Sequence, residues 1–158
     1  MKYLNIGKEV VKTLKENGYE AYFVGGFVRD MLLGIVSDDI DITTNALPQE
    51  VSKLFKNVKD TGLKYGTVTV LIDAFKFEVT TYRFDGEYID GRRPDNVTFS
   101  KKLTDDLERR DFTINALVMD ENELVQDFHN GTLDLKNKTI RTINDPLKRF
   151  NEDSLRML

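Results

Sequence analysis

The stretch AYFVGGFVRDMLLGIVSDDIDIT, residues 21–43, decides how this chain is read. Ala21 to Val24 form a short apolar run that ends on Gly25-Gly26, the pattern of a buried strand entering a tight turn. Phe27 to Leu33 then read as a short helix closed by Gly34. Asp39-Ile40-Asp41-Ile42-Thr43 alternates polar and apolar residues, as a half-buried strand does. Strand, glycine turn, short helix and acidic strand thus follow one another within 23 residues.

Working outward, Ile6, Val10, Val11 and Leu14 recur at helical spacing before the stop at Asn17-Gly18. Downstream, Asn45 to Asn57 reads as a helix with Pro48 near its first turn. Thr67 to Arg83 reads as a hairpin of two apolar strands joined at Asp73-Ala74. Residues 84–97 carry two glycines and a proline with no period, and are expected to form a mobile loop. LTDDLERRD is a short helix, and INALVMD with ELVQDF makes a strand pair around Glu121-Asn122. Asp145-Pro146 opens a further helix that keeps its period to Leu158, so the chain is expected to be the front piece of a longer protein.

Composition narrows the chemistry. A chain of 158 residues fits one domain, with about 69% of its unfolded surface buried by size scaling. It has no cysteine, which excludes disulfides, thiolate nucleophiles and sulfur-ligated metals. A single histidine, His129, argues against an imidazole-built metal site or a serine–histidine triad, and its DFHNGT context reads as an exposed or capping turn. Catalysis would have to run on carboxylates, arginine, lysine and backbone amides. No run approaches the ~18 apolar residues of a membrane span, so a cytoplasmic globular protein is expected. Net charge is −4, which gives no overall positive field for nucleic acid. Arginine is nevertheless concentrated in the second half: only Arg29 precedes residue 83.

Four constellations could carry chemistry. Asp39 and Asp41 stand at i and i+2, hence on one strand face, where two repelling carboxylates suit a hard cation such as Mg2+. A solvated strand end would use the same residues. Gly25-Gly26, placed where a strand turns into a helix, lets backbone N–H groups approach a phosphate, and Arg29 could close on it bidentately. It is neither a dinucleotide fingerprint nor a P-loop. Arg109-Arg110-Asp111 abuts the apolar run Phe112 to Leu117, so its guanidinium groups sit at the rim of a core. A plain helix terminus with compensating arginines is the simpler alternative. Asp153 and Arg156 are i,i+3 neighbours, able to read a base edge or to form an ordinary helix ion pair.

In this order, Gly25-Gly26-Phe27-Val28-Arg29-Asp30, Asp39-Ile40-Asp41-Ile42, Arg109-Arg110-Asp111-Phe112-Thr113-Ile114-Asn115-Ala116 and Glu152-Asp153-x-x-Arg156 resemble the class II tRNA nucleotidyltransferases. This is the bacterial CCA-adding and poly(A) polymerase family, and the resemblance runs from Tyr19 to Leu158. It implies an α+β fold: a DNA-polymerase-β-like nucleotidyltransferase head with a mixed sheet flanked by helices over residues 1–144, and the start of a helical neck over 145–158. It implies that Asp39 and Asp41 hold Mg2+, that Gly25, Gly26 and Arg29 meet the incoming triphosphate, and that Arg110 and Asp111 lie along the ribose and nucleotide. Asp153 and Arg156 would template the base of CTP or ATP. Glu78, on the second hairpin strand, is the candidate for a third metal-binding carboxylate. The implied activity is addition of C, C and A to the tRNA 3′ end, with most of the tRNA grip supplied by parts this chain lacks. A-only or poly(A) addition within the family is one alternative, and a small-molecule or protein nucleotidylating domain is another. The loop from Asp85 to Asn96 argues against CC-only addition.

Overall fold

Local sequence builds one mixed sheet and coats one of its faces. The computed structural model describes residues 2–85 and 97–143. Its helices are α1 (Lys2–Glu16), α2 (Gly26–Leu32), α3 (Pro48–Leu54), α4 (Leu103–Glu108) and α5 (Gly131–Lys136). Its strands are β1 (Ala21–Val24), β2 (Ile40–Thr44), β3 (Val58–Gly62), β4 (Thr67–Ile72), β5 (Phe75–Thr81), β6 (Arg83–Asp85), β7 (Val97–Phe99), β8 (Leu117–Met119) and β9 (Val125–Asp127). Seven of these strands form a sheet in the order β3-β4-β5-β2-β1-β8-β9, while β6 and β7 pair separately. Within the large sheet β2 and β5 run parallel and the other neighbours antiparallel.

The period-2 alternation of the central strands sorts the sheet into two unlike faces. Phe23, Ile40, Ile42, Phe77, Val79, Val68 and Val70 are buried against Leu4, Val10, Val11 and Leu14 of α1 and Val51 of α3. Each such side chain contributes roughly 1.5–3 kcal/mol by leaving water. The intervening residues Asp41, Thr43, Glu78, Thr80, Thr67 and Thr69 stand in register across β2, β5 and β4 on the opposite face. Beyond them a smaller cluster of Val24, Leu107, Ala116, Val118 and Ile143 anchors α4 and the end of the described chain. The polar strip therefore lies between two apolar anchors on a rigid sheet.

Several elements depart from the pattern reading. The helix expected over residues 45–57 is confined to α3, because Phe55 turns extended at φ −126° and ψ 148°. The second hairpin strand breaks at buried Tyr82, whose N–H donates to Thr44 O at 2.8 Å and whose hydroxyl donates to Glu20 at 3.0 Å. The ends of the aperiodic stretch, expected as loop, are strands: Phe84 pairs with Thr98, and Asp85 with Val97. Residues 86–96 lie outside the described residues, as do the expected helix from Asp145 and the Asp153–Arg156 pair. Strand β3 has no alternation because it is a solvated edge carrying Lys59 and Asp60, charges that discourage further strand pairing. The Asp73-Ala74 turn closes a two-residue hairpin, with Asp73 at φ 54°. Among the described residues no helix is long and apolar enough to cross a membrane.

Candidate active site

Gly25 ends β1 at φ 75° and ψ −144°, a conformation that glycine alone adopts readily. Its N–H donates to Leu117 O at 3.3 Å, and its carbonyl accepts the N–H groups of Val28 and Arg29 at 3.1 and 3.2 Å, starting α2. The Arg29 side chain folds back over Gly26, where an added Cβ would lie 3.1 Å from Nη2. Arg29 Nε donates to Asp30 at 3.0 Å, and Nη1 donates to Asn115 Oδ1 at 2.7 Å. Asn115 Nδ2 in turn donates to Asp111 Oδ1 at 3.1 Å. Glycine turn, Arg29, Asn115 and Asp111 thus form one network. The pairing of Val24 with Val118 makes it possible by drawing residues 111–116 against the turn.

Asp41 occupies the polar face of β2, opposite Val24 on one side and Glu78 on the other. A cavity of about 250 Å³ opens here, lined by Asp41, Glu78, Thr67, Thr80, Arg109 and Arg110 among others. Burial, and then the neighbouring Asp39, push the Asp41 carboxyl up to about 6; Arg110 opposes the rise and Glu78 adds to it. Asp39 lies one residue ahead of the strand, exposed, and lines an adjoining depression of about 400 Å³ with Tyr3, Asp38, Lys76 and Glu78. Glu78 borders both spaces, and its Oε1 accepts the Thr69 hydroxyl at 2.8 Å.

The Arg110 guanidinium closes the other side, with Nη1 3.6 Å from the place a Gly25 Cβ would take. Its Nη2 donates to Asp106 at 3.1 Å, and its buried Nε has no hydrogen-bond partner among the described residues. Asp106 is fully buried on α4 and also accepts Arg109 Nε at 3.2 Å and the Thr43 hydroxyl at 3.1 Å. Burial alone would raise its pKa, but Arg109 and Arg110 outweigh burial and hold it below the usual carboxylate range. Burial pushes Arg110 down.

The structure therefore gathers Gly25, Gly26, Arg29, Asp39, Asp41, Glu78, Arg110 and Asp111 around one end of the sheet. Pattern reading did not single out Asp106, Thr43 or Asn115. The spacing Asp106-x-x-Arg109-Arg110, one helical turn, was the available signal for the first. Nothing local marks Thr43, whose partner is 63 residues away. His129 sits in the bend after β9, its backbone N–H donating to Asp127 at 3.3 Å.

The donor set is all hard oxygen, and a cation would offset the burial and the Asp39 repulsion that together raise the Asp41 carboxyl. No group of three or more acidic or histidine side chains among the described residues is arranged to hold a metal alone.

A mixed sheet with one aspartate on a central strand and a second just ahead of it, beside a glycine turn, is the head fold of the polymerase-β-like nucleotidyltransferases. Comparison with known proteins agrees. The chain matches the family described as the poly A polymerase head domain over residues 21–141, and it belongs to that family. It is 55% identical over 149 residues to the CCA-adding enzyme of Lactobacillus helveticus, covering 94% of this chain and 37% of that protein. It is 54% identical to the CCA-adding enzyme of Oceanobacillus iheyensis with the same coverage. Among solved structures, the Bacillus stearothermophilus CCA-adding enzyme in complex with CTP superposes with a TM-score of 0.89 at 42% identity, over 99% of this chain and 38% of that one. The Thermotoga maritima CCA-adding enzyme complexed with tRNA_CCA gives 0.69 at 30% identity, over 90% and 33%. The chain spans about 37% of the length of these curated relatives.

Proposed function

We propose that the protein adds C, C and A to the 3′ end of tRNA, using CTP and ATP and releasing pyrophosphate. One observation carries this reading: β2, with Asp41, lies between β1, which delivers the glycine turn, and β5, which delivers Glu78. The reaction joins a terminal 3′-oxygen to an α-phosphorus as the bond to the β-phosphate oxygen breaks. In-line displacement needs phosphate grips on one side of the carboxylates and open space on the other. The Gly25–Arg29 turn and Arg110 supply the first; the depression beside Asp39 and Glu78 supplies the second.

Asp39 and Asp41 would hold Mg2+, with Glu78 as third carboxylate. Bound there, the metal favours the attacking oxyanion and neutralises the leaving pyrophosphate. Arg29 and the Gly26 N–H orient the triphosphate at the turn that Gly25 makes, and Arg110, whose Nη1 reaches that turn, adds positive charge beside the nucleotide. Asp111 aligns with the ribose. Asp153 and Arg156, on the neck proposed to begin at residue 145 after a head of residues 1–144, read the base. The Asp153 carboxylate accepts the exocyclic amine of C or A, and Arg156 donates to the ring acceptors.

With a net charge of −4 the chain has little to neutralise RNA phosphates, so tRNA affinity would come mainly from the rest of the protein. The reading carries a cytoplasmic location with it. The family's description also supports a second reading, addition of A alone or as poly(A). The test is to incubate the intact protein with Mg2+, tRNA lacking CCA, and one labelled nucleotide at a time. CTP incorporation before ATP supports CCA addition, ATP alone supports the second reading, and no incorporation refutes both.

A further inference from the structure

Asp106 is buried deep beside the site, yet its position keeps it from touching a nucleotide. Its two oxygens are fully employed: Oδ1 accepts Arg109 Nε at 3.2 Å, and Oδ2 accepts Arg110 Nη2 and Thr43 Oγ1, each at 3.1 Å. Thr43 lies two residues beyond Asp41 on the same strand and the same face. The carboxylate that holds Arg110 is thus tied to the strand that carries Asp41.

We propose that Asp106 is a positioning residue whose carboxylate holds the Arg110 guanidinium off Asp41 and so keeps Asp41 free to bind a divalent cation. This rests on the reading of Asp41 as a cation ligand. Arg110 and Asp41 line the same cavity, where the only other acidic group among the described residues is Glu78, whose Oε1 already accepts the Thr69 hydroxyl. A guanidinium released from Asp106 has Asp41 as its natural partner, and an Asp41 oxygen engaged by arginine is lost to the metal. Charge acts in the same direction. Arg109, Arg110 and Asp106 sum to one positive charge beside the cavity, whereas without Asp106 they sum to two and repel a cation. The fully buried carboxylate, a costly feature for stability alone, is accounted for by this task.

The test measures Mn2+ binding by the intact protein, without nucleotide or RNA, from the free-ion electron paramagnetic resonance signal. Four variants are compared with wild type: Asp41→Asn, Asp106→Asn, Arg110→Gln and the double Asp106→Asn/Arg110→Gln. Asp106→Asn is expected to weaken binding at least about tenfold, and the double variant to return within about threefold of wild type, because the competitor is gone. Normal binding by Asp106→Asn, or a double variant as weak as the single, overturns the inference. A generally damaged fold would not be rescued by a second substitution. If Asp106→Asn does not fold, Arg110→Gln decides. With Arg110 already held by Asp106, its loss removes one positive charge but frees no Asp41 oxygen, so affinity should rise by less than about threefold, whereas a gain of about tenfold would place Arg110 on Asp41 in the native protein and refute the idea. Equal binding by wild type and Asp41→Asn would overturn the Asp41 reading itself, and this inference with it.

Discussion

Gly131→Ala sets two physical effects against each other. Gly131 is the first residue of α5, and it has no positive φ that would demand glycine. By helix propensity alone, alanine there should stabilise the protein by up to about 1 kcal/mol. Packing says the reverse. A Cβ built on Gly131 would lie 2.2 Å from Thr113 O and 2.8 Å from Thr113 C, backbone atoms that cannot swing aside like a side-chain tip. The neighbouring backbone would have to move by about 1 Å to restore ordinary contact. Thr113 is held on three sides: its N–H donates to Arg141 O at 2.9 Å, its carbonyl accepts Ala116 N–H at 3.1 Å, and its hydroxyl donates to buried Asp134 at 2.6 Å. Overpacking of roughly 1–3 kcal/mol, plus a weakened bond to a buried carboxylate, outweighs the propensity gain and leaves a net loss of about 2–4 kcal/mol. For a chain of this size that lowers Tm by roughly 5–15 °C. The measurement is thermal and urea unfolding of the variant beside Gly34→Ala. Gly34 has φ +73° with nothing within 4 Å of the place a Cβ would take, so its replacement should cost only about 1–2 kcal/mol of backbone strain. A Gly131→Ala protein as stable as wild type, or more so, would refute the packing argument.

Three further outcomes are expected. Asp39→Ala and Asp41→Ala should each abolish nucleotide transfer by the intact protein while leaving unfolding temperatures nearly unchanged; transfer surviving above about a tenth of wild type would remove the metal assignment. Burial works to raise the Asp127 carboxyl, but hydrogen bonds from Thr132 Oγ1, Thr132 N, Gly131 N and His129 N hold it below its ordinary value. Its stabilisation is therefore complete above the unfolded value of ~3.9 and lost as pH falls through the lower folded value. Acid unfolding curves of wild type and Asp127→Asn should converge in that window, and a gap that persists at lower pH would contradict this. Asp153→Ala should lower the ratio of kcat/KM for CTP to that for UTP, because the carboxylate that repels the uracil carbonyl is gone; an unchanged ratio would leave Asp153 and Arg156 as an ordinary helix pair.

Linear sequence marked the candidate site where a function needs neighbouring residues, because such needs leave local marks. Gly25 must be glycine to turn sharply at the end of a strand, and the i,i+2 spacing of Asp39 and Asp41 marks them as a pair although only Asp41 lies on the strand. The same alternation that buries Ile40 and Ile42 necessarily turns Asp41 outward, so pattern alone placed it on the polar face. Short elements were less legible. Strand β3 shows no alternation because it is an edge strand whose middle residues Lys59, Asp60 and Thr61 are all exposed, and the six-residue helix α5 is held by the Asp127 carboxylate rather than by its own periodicity. Tertiary structure alone decided what stands beside what. Arg29 meets Asn115 across 86 residues, and Thr43 meets Asp106 across 63, only because β1 pairs with both β2 and β8. Such contacts depend on strand order, and strand order is set by which faces find a common core. No residue's immediate neighbours in the chain encode it.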